Sequence, residues 1–226
     1  MNRQGNIQHE NPTFEVSVGA AFFCIIKNRT ANEIIYEPTV IRSEIIRTLT
    51  ITPTIASGTI HASSIVYEYI NDKVGVEIEL GAVALPRKLL KGISGAEHSK
   101  GVTIERVTDV SKEIAFGYWA ENRDGSLIFH WHPVCKLTQS SETKETRTDD
   151  APDPEKSYTI TVIPYQGKTV TSYDQRDAIE DGETPIGIDE FFARPFYNIE
   201  DMPTRDIPAA PAAPEPDYET ITDYHE

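Results

Sequence analysis

The chain is poor in cysteine, tryptophan, methionine and positive charge. Two cysteines, Cys24 and Cys135, in 226 residues rule out a disulfide-stapled scaffold. Both sit in apolar, strand-like runs and read as small buried thiols in a reducing compartment. Only 21 Lys and Arg stand against 36 Asp and Glu, a formal net charge of −15. So few cations argue against a binder of duplex DNA or of anionic membranes, both of which need Lys and Arg to displace counterions. No apolar run approaches the ~20 residues that a membrane-spanning helix requires. The start, Met1 to Pro12, offers no apolar stretch of signal-peptide type, so synthesis and folding in a cytoplasm are expected. Hydrophobic residues make up 38% of the chain, low for a wholly globular protein, so part of it is expected to lie outside the core.

The catalytic punctuation is missing too. There is no phosphate-cradling Gly-Lys-Ser/Thr loop, no Gly-x-Ser-x-Gly elbow and no dinucleotide glycine fingerprint. His130-Trp131-His132 places two imidazoles on one side of a strand, a spacing that a metal can use. A third ligand is lacking, with His98 and Glu113 the nearest guesses, and the pair reads more simply as solvent-facing or inter-subunit histidines opposite a buried Trp131. Glu77 and Glu79 lie on one strand face rather than on two elements flanking a scissile bond, which suits an acidic surface better than glycoside hydrolysis. No enzyme, metal or cofactor is expected.

What is present is unevenly distributed. Residues 171–226 hold 15 acidic and three basic side chains and seven of the 15 prolines, so about −12 of the charge lies there and the rest is close to neutral. The first part reads as β. Phe14, Val16, Val18, Ala20, Phe22, Cys24 and Ile26 recur at every second residue, predicting one face of a strand. Residues 44–52 are β-branched, with Thr48, Thr50 and Thr52 alternating, and Val74, Val76, Ile78 and Leu80 alternate with Gly75, Glu77 and Glu79. Ile114–Ala120 and Leu127–Cys135 alternate on either side of Asn122-Arg-Asp-Gly125, a hairpin signature. A polar loop over 138–157 precedes a last strand, Tyr158 to Ile163. Leu85-Pro-Arg-Lys-Leu-Leu-Lys-Gly92 has Pro early and Gly at its end, predicting one short helix.

This gives a mainly β protein, a β-sandwich or barrel with one short flanking helix and extended N-terminal and C-terminal arms. The divisions are 1–13, an N-terminal arm; 14–165, the β domain; and 166–226, an acidic, Pro-rich C-terminal arm. Residues 207–216 favour extended, polyproline-like geometry. Within the arm, Phe191, Phe192, Phe196 and Tyr197 need a surface to bury against, whether on this chain or on a neighbour.

Three blocks carry a family resemblance. Leu49-Thr-Ile-Thr-Pro-Thr-Ile-Ala-Ser-Gly-Thr-Ile-His-Ala-Ser-Ser64 resembles the strand and loop that precede the long β segment of major tail proteins of long-tailed phages of Gram-positive bacteria. Val74-Gly-Val-Glu-Ile-Glu-Leu80 followed by Leu85–Gly92 is similar to that family's strand, short helix and glycine. Glu113–His132 resembles its aliphatic–Gly–aromatic strand, Asn/Asp-Gly turn and aromatic strand. The match spans about residues 15–165 in order.

The resemblance implies a virion tail tube protein, assembled in the host cytoplasm. Homo-hexameric rings stack into a β-lined channel through which the genome passes at ejection. Its partners are further copies of itself, other tail proteins (tape measure, tail terminator, distal tail) and DNA that slides through without specific binding, with no membrane. On that reading Glu77 and Glu79 are candidates for an acidic lumen face. The loop 53–73, with Thr54, Ser57, Thr59 and His61, and the arm anchor within 185–199 are candidates for ring-to-ring or subunit-to-subunit contact. The competing expectation is a monomeric β-sandwich binding module for carbohydrate or host surfaces, with Trp119, Trp131 and nearby tyrosines as stacking platforms.

Overall fold

The computed structural model describes residues 14–62, 65–142 and 156–203. The stretches 1–13 and 207–216 singled out above lie outside the described residues. In chain order come β1 (Glu15–Arg29), β2 (Ile34–Ser43), β3 (Ile46–Ala62), β4 (Ile65–Ala82), α1 (Arg87–Ile93), β5 (Glu97–Ser99), β6 (Val102–Ile104), β7 (Ile114–Asn122), β8 (Leu127–Glu142), β9 (Lys156–Val162), β10 (Thr171–Asp174), α2 (Gln175–Glu180) and α3 (Ile188–Phe191). The protein is mainly β. All strands but β5 and β6 join one antiparallel sheet, ordered β2-β1-β7-β8-β9-β4-β3, with β10 also on β8.

Alternation accounts for the core. Val76, Ile78 and Leu80 of β4 turn inward with Tyr158, Ile160 and Val162 of β9, Phe116 and Tyr118 of β7, and Phe23 and Ile25 of β1. Strands from both halves of the sheet share this one interior, so the sheet curls around it. Leu89 and Ile93 of α1 enter the same core. Each such fully buried aliphatic contributes about 1.5–3 kcal/mol of transfer free energy. Gly92 lies inside α1, not just past it: it lets the helix approach Ile25, whose Cδ1 would stand 2.5 Å from an added Cβ. The helix stops two residues later, where Ser94 caps it and Gly95 takes φ +67°.

The β7–β8 hairpin forms where its turn chemistry places it. Gly125 donates its N–H to the Asn122 carbonyl at φ +85°, and Asp124 accepts from the Ser126 N–H and hydroxyl. The long alternation in β1 is broken. An extra residue between Val18 and Ala21 shifts the register against β7, so the phase flips there. Ala20, Phe22 and Cys24 point to the outer face of the sheet, while Phe14, Val16 and Val18 do not continue that face and stay exposed. Cys24 and Cys135 are free, buried and in different clusters, on opposite faces of the sheet. Burial pushes both thiols up, Cys24 to about 12.

Candidate functional site

The four strands β3, β4, β9 and the C-terminal half of β8 form a panel with one face in the core and one in solvent. The outer face is built from two cross-strand rows. Thr52, Glu77, Thr161 and Lys136 stand side by side in one, and Thr50, Glu79, Thr159 and Thr138 in the next. All are exposed except Thr159, which is half-buried. Glu77 and Glu79 thus share a face as expected, but that face is a threonine field with two carboxylates and one ammonium, less acidic than the glutamates alone suggest. The threonines of β9 and β8 were missed in the sequence. Thr159 and Thr161 alternate with buried Tyr158, Ile160 and Val162, the same signal that exposed Thr48, Thr50 and Thr52.

Both margins of this panel are open. β3 ends the sheet order, so its outer edge has no ladder partner among the described residues. β7 pairs with β8 only as far as Cys135, so beyond that residue β8 has β9 on one side and no described strand on the other.

The stretch 53–73 is not a loop. β3 and β4 continue as a two-stranded ladder from Ile46↔Ala82 out to Ala62↔Ile65, while β9 accompanies β4 only over Val76–Ala82. The outer half of the hairpin therefore leaves the sheet. Thr54, Ser57 and Thr59 lie on this strand, exposed, with Thr54 on the opposite face from Ser57 and Thr59 by alternation. His61 is on the same strand, and its side chain lies outside the described residues. Ile51, Ile55 and Val74 are exposed on the hairpin as well.

The arm anchor buries on its own body. Phe191, Phe192 and Phe196 join Phe22, Phe129 and Trp131 in a second cluster, on the outer face of β1, β7 and β8. Phe192 stacks on Phe22, centroids 3.9 Å apart at 1°. The Trp131 indole N–H donates to the Phe191 carbonyl at 3.3 Å. Tyr197 is half-buried edge-on to Tyr165 at 5.1 Å. Two helical turns in the arm also escaped the sequence reading. Asp174 caps α2 by accepting the Arg176 N–H at 2.8 Å, and Glu190 accepts the Gly187 N–H at 2.9 Å at the start of α3. Both caps are visible as Asp or Glu near helix starts, but each segment is too short for a period.

Trp131 is fully buried beneath the arm and Trp119 is partly buried against Gly19, so neither offers the open ring that a sugar stacks on. His132 is buried and His130 half-buried. They turn to the inner side, opposite Trp131, where Tyr118 stacks on His130 at 4.7 Å. His132 is 3% exposed and burial holds both imidazoles down to about 4. Among the described residues no group of three His, Cys, Asp or Glu side chains is placed to hold a metal, and no helix is long and apolar enough to cross a membrane. No family model matches the chain, and neither does any curated protein.

Proposed function

We propose that the chain is a self-assembling structural subunit of a tail tube. Copies join edge to edge into rings, and the rings stack into a channel for DNA. The family reading rests on the resemblance of the sequence. The observation that carries the geometry is the four-stranded panel with two open margins and one hydrophilic face. Its strands alternate in direction, so the β3 margin of one copy meets the β8 margin of the next antiparallel, the pairing such edges accept. Repeated head to tail with rotation, this contact closes a ring. The Thr, Glu and Lys rows then line the lumen on a continuous sheet.

That lining suits passage without binding. Two carboxylates per copy repel phosphates against one Lys136 ammonium, and most of the remaining groups are neutral threonine hydroxyls rather than the clustered cations that duplex binders use. The outer half of the β3–β4 hairpin has no third strand beside it among the described residues and is the part that reaches the neighbouring ring. The arm covers the other side of the body, on the outside of the tube. Purified protein examined by negative-stain electron microscopy and sedimentation velocity is expected to show rings or filaments with an axial hole. A monodisperse monomer of 25 kDa at high concentration would sink the proposal.

A further inference from the structure

The root of the arm is held by two histidines. After β9 the chain leaves the sheet through the Tyr165–Lys168 turn and returns to pair with β8 over 171–174 as β10. There the His130 Nδ1 is 2.9 Å from the Ser172 hydroxyl, and the His132 Nδ1 is 2.8 Å from the Thr169 carbonyl oxygen. A carbonyl only accepts, so His132 carries its proton on Nδ1 and presents a bare Nε2. The Nε2 atoms of both rings are buried and have no hydrogen-bond partner among the described residues.

Once protonated, either ring carries an N–H at Nε2, in a place with no acceptor, and is a buried cation. The charged and titratable groups around the pair come from four elements. Asp174 of β10 favours charge on His130, whereas Lys73 of β4 and His130 itself oppose it on His132. Tyr118 of β7 lies against both rings and has Glu15 of β1 nearby. Burial outweighs Asp174, so both rings stay neutral well below the ordinary histidine range. The sign follows: between the unfolded value of 6.5 and the folded value of about 4 the open form binds more protons, so closure is complete above 6.5 and weakens as pH falls toward 4.

We propose that His130 and His132 form an acid-released latch: neutral, they hold 169–172 on β8; protonated, they open β10 and lift the aromatic clamp of the arm from the outer face. Four ladder pairs fasten β10, against seven between β9 and β4, so the root is the weak joint. This inference does not depend on the tube reading.

Hydrogen exchange followed by mass spectrometry on the full chain tests it. With intrinsic exchange rates corrected for pH, peptides from 171–192 are expected to lose about tenfold or more of their protection between pH 7 and pH 4. Peptides from 76–82 and 156–162 should keep theirs. The His130→Asn, His132→Asn double variant preserves a donor at the Nδ1 position without a titrating ring, and its arm is expected to stay protected at pH 4. Unchanged arm protection in the natural sequence at pH 4 overturns the proposal. So does loss of arm and sheet protection together, a comparison that stands even if the double variant fails to fold. Opening of a folded double variant at the same pH as the natural protein overturns it as well.

Discussion

At Gly117 the outer face of β7 has no side chain, and the space is taken by Phe192 and Trp131. A Cβ built there would stand 2.8 Å from a ring carbon of each. Both rings are locked, Phe192 by its stack on Phe22 and Trp131 by its bond to Phe191, so neither can yield cheaply. Gly117→Ala is expected to cost about 1–3 kcal/mol, read as a lowered midpoint in urea unfolding. An unchanged midpoint would show that the clamp is slack. Glu77→Gln, on an open face, is expected to leave the same midpoint within about 0.5 kcal/mol. The glycine between aliphatic and aromatic residues was visible in the sequence. Its reason was not, because the ring that fills the space comes from Phe192, 75 positions later, and no local pattern carries such a contact.

The elements divide by how local their causes are. Turn chemistry at Asn122–Gly125 and the alternation of β4 depend on neighbours along the chain, and both were legible. The phase flip in β1 was not: its even-numbered apolar residues run unbroken through the extra residue before Ala21, and only pairing with β7 reveals the shift. The hairpin over 53–73 was hidden by its composition. Thr54, Ala56, Ser57, Gly58 and Thr59, all exposed, look like a loop when they stand out from the core face. Within the arm the small elements were the least legible part, since α2, α3 and β10 are too short to show a pattern and gain their order from the surface they cover. Deleting 171–226 is therefore expected to uncover Phe22, Phe129 and Trp131, giving a protein that binds an apolar dye and aggregates. A truncated chain that stays monodisperse, with its melting temperature unchanged, would show that the arm adds nothing to the body.

For the whole molecule, monomer stability and the proposed assembly rest on different parts. The core lies inside the curled sheet and under the arm, whereas residues 54–59 of the outer hairpin are exposed. Replacing 56–72 by Asn-Gly joins Ile55 to Lys73, a pair already in register, through a turn that hairpins accept. The shortened protein is expected to keep its melting temperature within about 2 °C and to lose filaments while small rings persist. Filaments of normal length would remove the hairpin from the stacking contact. A final consequence follows from the panel's strand count. In the proposed ring each copy brings four strands, an even number, so every seam would have the same antiparallel parity whether five, six or seven copies close the circle. Strand direction alone thus places no condition on copy number. Ring size falls to the angle between one panel and the next, and substitutions that alter twist at the β3 or β8 margin are expected to change the circumference before they prevent closure.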